Sequence, residues 1–206
     1  HKAIHSFPTR RSSDLSLLTD IANLSVLENA PKTNQMAVAL AQYLKYSLCT
    51  TGDNILLSDE LKQIESYFNM LKIKYEDAFT YSITAKKEID MLRIPSHILF
   101  PFLDRAASLI TVNTGHLDIA ISIFCENGYT TIDIVSDYNP DNEESNPASS
   151  FKNFPDNDMF RSLISNIRQR LYSIFGNNYE IKESYQSNSK IHDIIKLPIS
   201  HEERIM

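Results

Sequence analysis

The stretch from Leu56 to Phe79, LLSDELKQIESYFNMLKIKYEDAF, limits what this chain can fold into more than any other. Its apolar side chains fall at Leu57, Leu61, Ile64, Phe68, Leu71 and Tyr75, in alternating steps of four and three. That spacing collects them on one side of a helix, so the segment predicts a helix packed against other helices. Ser58 is placed to cap its N-terminus, with Asp59 and Glu60 as an acidic first turn that suits the positive end of the helix dipole. Upstream, Leu17, Leu18, Ile21, Leu24 and Leu27 predict a second helix, and Met36, Leu40, Tyr43, Leu44 and Ser47 a third. Together these two make a helical hairpin with a broad apolar face, which fits either an intramolecular core or a dimer interface.

After Asp77 the hydrophobic period changes from helical to alternating. Phe79 to Ala85 predicts a strand. Leu117 to Cys125 and Tyr129 to Ser136 alternate on either side of Glu126-Asn127-Gly128, which predicts a hairpin. The polar run from Tyr138 to Asp158 reads as a mobile surface loop. Met159 to Phe175 returns to helical spacing, and Tyr179 to Tyr185 with Ile191 to Ile199 closes the chain as a second strand pair. This order predicts an α+β fold, a sheet covered by helices on one face. No internal repeat is present.

The first residues stand apart. His5 to Leu15, HSFPTRRSSDL, back-translates into a common short-read sequencing adapter. We therefore read residues 1–15 as an assembly artefact rather than as a basic nucleic-acid-binding arm, and exclude them from fold reasoning. On this reading the natural protein starts further upstream. The formal charge of −6 becomes −8 without Lys2, Arg10, Arg11 and Asp14, which argues against nucleic acid as a partner, because phosphate contact needs clustered Lys and Arg. No apolar stretch has the length of a membrane span, so a membrane anchor is expected only in the missing upstream part. Cys49 and Cys125, without CxxC spacing, read as reduced thiols of a cytoplasmic domain.

Three segments in order, Leu56–Phe79, IPSHILFPFLDRAASLI at Ile94–Ile110 and SNIRQRLYSIFGNNYEIK at Ser165–Lys182, resemble the cytoplasmic transmitter of LytS-type sensor histidine kinases. The resemblance covers roughly 17–198. It implies a helical dimerisation and phosphoacceptor-like region at 16–78, a Bergerat-fold ATPase-like domain of the GHKL kind at 79–200 and a C-terminal tail at 201–206. It further implies ATP and Mg²⁺ as cofactors, a homodimer, a response regulator as partner, and an inner-membrane sensor as the parent protein.

The family's chemistry looks eroded in these residues. The autophosphorylated histidine of a PHFLFNxLN-like pattern falls near Ser16 to Asn23, where no histidine is visible, and His5 belongs to the adapter. The family's Glu-Asn-Ala box corresponds to Asp104-Arg105-Ala106. Asp104 keeps a carboxylate at the catalytic position, on a shorter arm. Arg105 puts a permanent cation at the metal-ligand position, and arginine has only donors, whereas Mg²⁺ demands oxygen ligands. The alternative role for Arg105 is direct neutralisation of phosphate.

The glycine-rich loops are missing as well. The adenine-side box reads Asp137-Tyr138-Asn139-Pro140, keeping the aspartate, with Asn139 able to take a left-handed backbone conformation. The lid box reads Arg161-Ser162-Leu163-Ile164, where glycine would let the backbone approach phosphate. The four glycines, Gly52, Gly115, Gly128 and Gly176, lie in neither loop. Residual nucleotide contacts are therefore expected from Arg105, Asp137, Asn139, Asn166 and Arg170, and no metal ligand is visible.

Each has a plain structural reading too. Asp137 suits the end of a strand. Asn166, Arg168 and Arg170 suit the solvated side of a helix whose other face is Leu163, Ile167, Leu171 and Ile174. His97 reads as a core histidine of an apolar helix. Ser, His and Asp form no hydrolase motif such as GxSxG. The expectation is a catalytically degenerate transmitter, a pseudokinase signalling and dimerisation module. The alternatives are an active histidine kinase whose phosphoacceptor was lost by truncation, and an unrelated α+β interaction protein.

Overall fold

The computed structural model describes residues 7–49, 54–86, 92–112, 115–141, 157–185 and 190–199. They form helices α1 (Phe7–Leu27), α2 (Pro31–Cys49), α3 (Leu57–Tyr75), α4 (Phe100–Val112) and α5 (Asn157–Phe175). The strands are β1 (Asn54–Leu56), β2 (Phe79–Ala85), β3 (Arg93–Pro95), β4 (Gly115–Glu126), β5 (Tyr129–Pro140), β6 (Glu180–Tyr185) and β7 (Lys190–Pro198). Two compact units result, one from residues 1–52 and 61–76, the other from 53–60 and 77–206, so α3 begins in the second and continues through the first.

In the first unit, α1 and α2 form the expected hairpin. Asn29 takes a left-handed φ of 54° just past α1, and the Ala30 amide returns to the Ser25 carbonyl at 2.8 Å. This satisfies carbonyls at the helix end, and Pro31 starts α2 where a missing N–H costs nothing. Asn34 Nδ2 donates to the Ala22 carbonyl at 2.8 Å, tying the helices together. The face buried between them differs from the expected stripe. Ala22 and Ser25 are buried, whereas Leu17, Ile21, Leu24 and Leu27 are exposed. Small residues allow the close helix approach and leave the leucines outside. Along α3 the stripe holds for Leu57, Leu61, Ile64, Phe68 and Leu71, all buried, while Tyr75 is only half-buried.

The second unit carries a five-stranded mixed sheet of order β2-β4-β5-β7-β6, parallel only between β2 and β4, beside a small β1–β3 pair. Hence the fold is α+β. The β4–β5 turn is Asn127-Gly128, with φ of 53° and 81°, the two positive values that a type I′ turn requires. One face of the sheet is buried through Leu117, Ile119, Ile121, Ile132, Ile134, Ser136, Ile191, Asp193, Ile195 and Leu197. Helix α4 packs on β4 and β5, and on α5.

β5 continues to Pro140, so Tyr138, Asn139 and Pro140 are strand rather than the start of a loop, and Asn157 and Asp158 at its far end belong to α5; residues 142–156 of that expected loop lie outside the described residues. Gly115 makes the extension feasible. It pairs with Pro140, and a Cβ there would sit 2.4 Å from the Asn139 carbonyl oxygen. β7 begins at Lys190 opposite Asp137, so among the described residues Pro140 pairs with β4 alone. On α5 the buried residues are Ile164, Ile167 and Leu171, while Leu163 and Ile174 are largely exposed, against expectation.

Candidate functional site

The turn leading into α4 is held from two sides. Glu60, at the start of α3, is 1% exposed, and its carboxylate accepts the amides of His97 at 2.8 Å and Leu99 at 3.2 Å. Burial pushes the Glu60 carboxyl above its ordinary range, with the two backbone hydrogen bonds and the charges of His97 and Arg170 pulling the other way. From α5, Arg170 donates through Nη1 to the Ser96 carbonyl at 2.7 Å and through Nη2 to Ser96 Oγ at 3.2 Å. His97 lies in this turn with φ of 60°, not in a helix, and is half-buried rather than a core residue. A left-handed histidine costs on the order of 1 kcal/mol, which the Glu60 hydrogen bonds offset.

One turn into α4, Arg105 points at the sheet. Its Nη2 meets Asp193 Oδ2 of β7 at 2.5 Å and its Nη1 meets Glu183 Oε2 of β6 at 3.2 Å. The guanidinium lies 4.1 Å from the ring centre of Phe160 on α5 and 5.9 Å from that of Tyr185. Phe160 in turn makes an edge contact with Phe102, centres 5.9 Å apart. The Arg105 side chain is 9% exposed and that of Asp193 1%. Burial raises the Asp193 carboxyl above its ordinary range, with Arg105 opposing. Arg105 thus engages two carboxylates through its terminal nitrogens and lies near two aromatic rings, with its Nε buried and without a hydrogen-bond partner.

The other expected residues scatter. Asp104 is exposed on α4, and Asn166 is exposed on α5, one turn before Arg170. Asp137 lies 3.7 Å from Lys190 Nζ. Side chains of a strand alternate, and Ser136 and Tyr138 are buried on the helix-covered face, so Asp137 and Asn139 belong to the opposite face of β5. Asn139 is extended within β5, paired with His116, not left-handed. Arg105 and Asp137 therefore stand on opposite sides of the sheet. Arg168 is exposed as expected, and its Nη2 donates to the Ile181 carbonyl at 3.3 Å. Arg161 is exposed beside Asp158.

Asp193 and Glu183 were not singled out by the motifs, and Glu60 was read only as part of an acidic first turn, although Asp193 and Glu60 are marked by phase. Asp193 falls in the buried phase of Ile191, Ile195 and Leu197, and Glu60 lies one turn after Leu57 on the α3 stripe. A carboxylate in an apolar phase calls for a cation or amide donors nearby. Among the described residues no group of three or more His, Cys, Asp or Glu could hold a metal ion. The donor set does not fit Mg²⁺, because the position expected to supply an oxygen ligand supplies a paired guanidinium.

Residues 16–79 match the family model for histidine kinase. That segment begins at Ser16 in α1 and ends at the first residue of β2. Among solved structures, the catalytic domain of histidine kinase ThkA is similar at 17% identity, covering 73% of this chain and 97% of that one, with a TM-score of 0.44. The histidine kinase AdeS of Acinetobacter baumannii is similar at 11% identity, covering 91% and 95%, with a TM-score of 0.47. Likeness of this extent assigns no activity. No curated protein matches. Among the described residues no helix is long and apolar enough to cross a membrane.

Proposed function

We propose that this chain is the transmitter of a LytS-type two-component sensor histidine kinase whose catalytic site is degenerate, acting as a pseudokinase signalling and dimerisation module. The observation that carries the reading is the pairing of Arg105 with Asp193 and Glu183 at the position where the resemblance places the metal ligand. An internally neutralised cation there neither ligates Mg²⁺ nor compensates phosphate charge, and phosphoryl transfer depends on both. The position of Asp137 and Asn139 on the uncovered sheet face supports the same reading, as does the bulky Arg161–Ile164 segment in place of a glycine lid.

The module reading assigns 16–78 to dimerisation, 79–200 to a GHKL-type domain that has lost efficient nucleotide chemistry, 201–206 to a tail and 1–15 to adapter sequence. The exposed Leu17, Ile21, Leu24 and Leu27 supply an apolar face for a second copy of the chain. Signalling would then pass through dimer geometry, toward a response regulator, from a parent protein anchored in the inner membrane.

A working kinase is the second reading, favoured by the match of residues 16–79 to the histidine kinase family. Incubation with γ-labelled ATP and Mg²⁺, together with a fragment carrying a phosphoacceptor histidine, separates the two. The module reading predicts no acid-labile label on either chain. Labelled histidine would establish the kinase and overturn it.

A further inference from the structure

Asp193 and Glu183 are direct cross-strand partners of β7 and β6, in the phase of Ile181 and Ile195, so both carboxylates point to the helix-covered face. Like charges opposite each other in a sheet repel, and Asp193 is 1% exposed, where repulsion is poorly screened. Among the described residues neither group stands near another cation of comparable contact. Arg168 Nη2 comes only to 3.9 Å from Glu183 Oε1, and His192, the neighbour of Asp193, turns its Nε2 to Asp133 at 2.6 Å on the other face. Asp193 Oδ1 and Arg105 Nε are both buried with no hydrogen-bond partner, so the fork is engaged by its two terminal nitrogens while a buried acceptor remains open. The Phe160 ring, 4.1 Å from the guanidinium, adds a flat aromatic wall.

We propose that Asp193, Glu183 and Phe160 form a binding site for a planar guanidinium-class cation, with Arg105 as its built-in ligand, and that a cation in this site fastens α4 to β6 and β7. The chemistry selects guanidinium over Mg²⁺. A planar, weakly hydrated cation can bridge two carboxylates and stack on a ring. Mg²⁺ keeps its waters and demands octahedral oxygen ligands, which an apolar ring and two carboxylates do not supply. Arg105 is on this view a positioning residue for α4, and the site is a property of the sheet that outlasts removal of the side chain. The inference stands apart from the nucleotide question, because its readout needs no ATP.

The test is thermal unfolding of the full chain carrying Arg105→Ala, with and without methylguanidinium at about 10 mM, far below denaturing concentrations. The variant is expected to melt about 10 °C lower than the native chain, since it leaves a buried carboxylate without its counter-cation. Methylguanidinium should restore a substantial part of the loss. Equal ionic strength of NaCl or MgCl₂ should not, and neither the native chain nor Arg105→Ala combined with Asp193→Asn should respond. Equal recovery with NaCl, or a melting point unchanged by the substitution, would overturn the proposal.

Should Arg105→Ala not fold, Arg105→Lys, which keeps a charge, carries the test. Combined with Asp193→Asn it should show coupling of about tenfold in the unfolding constant. Strict additivity would contradict the site.

Discussion

The α1–α2 hairpin and the sheet unit treat their large side chains in opposite ways. In the α1–α2 hairpin the small residues Ala22, Ser25, Ala37 and Ala39 are buried, while Leu24 and Leu27 stand 56% and 79% exposed. In the sheet unit even a charged pair is enclosed, and Phe102, Leu103, Ile119, Ile134, Ile195 and Leu197 are fully buried. The contrast teaches that the sheet unit completes its own core and neutralises its own charges, whereas the hairpin leaves its apolar surface to something outside it. An exposed apolar stripe of this kind on a helix marks an interaction face.

The sharpest break of that comparison replaces Leu17, Leu24 and Leu27 together with aspartate. If the chain dimerises as proposed, light scattering should report a dimer for the native chain and a monomer for this variant, with its helical circular dichroism retained. A variant that stays dimeric would move the interface elsewhere. Next in size is Phe102→Ala in the closed core, expected to cost about 3–5 kcal/mol in denaturant unfolding. By contrast, Leu27→Ala should leave monomer stability within about 0.5 kcal/mol. Similar losses for the two would erase the distinction between the units.

Gly115→Ala should cost about 1–3 kcal/mol, because the added methyl must displace the Asn139 carbonyl. Amide exchange should then localise the damage to the end of β5.

The smallest effect is that of pH. Glu60 and Asp193 are held above their ordinary values of 4.5 and 3.8 mainly by burial. For a raised carboxyl the folded state binds the proton more tightly than the unfolded state. Between the ordinary value and the folded value, stability therefore falls as pH rises. Glu76 and Glu180 are lowered, mainly by hydrogen bonds from Lys32 and Lys182, but both stand at the surface, where solvent screens them. Melting temperature should thus rise on acidification through the interval just above those ordinary values, and Asp193→Asn should flatten the slope. A steep fall over that range would show that other carboxylates dominate.

Much of the fold was legible because periodicity survives tertiary packing. The four-and-three stripe of α3, the alternation of β4 and β5 and the Asn127-Gly128 turn each state their own structure. Legibility failed where a partner element decides the outcome. Tyr138 to Pro140 reads as loop from its polar residues, yet Gly115 on the neighbouring strand admits it as sheet. His97 reads as helix from its apolar neighbours, while Glu60, distant in sequence, holds it in a turn. In α1 the leucines mark the stripe, but close approach selects Ala22 and Ser25 for the contact.

At the candidate site, the resemblance sets Arg105 where that family carries a metal ligand, and the destination of its side chain was not readable. The motif said what Arg105 cannot coordinate. Only the buried phase of Asp193 and its pairing with Glu183 explain what the side chain does instead.

The most direct test is calorimetric titration of the purified domain, without residues 1–15, with ATP in the presence and absence of Mg²⁺. The proposed degenerate reading, with Arg105 paired to Asp193 and Glu183, predicts no Mg²⁺-dependent heat at millimolar ATP from a folded chain. Saturable, Mg²⁺-dependent binding would contradict the account and return the chain to the working kinases.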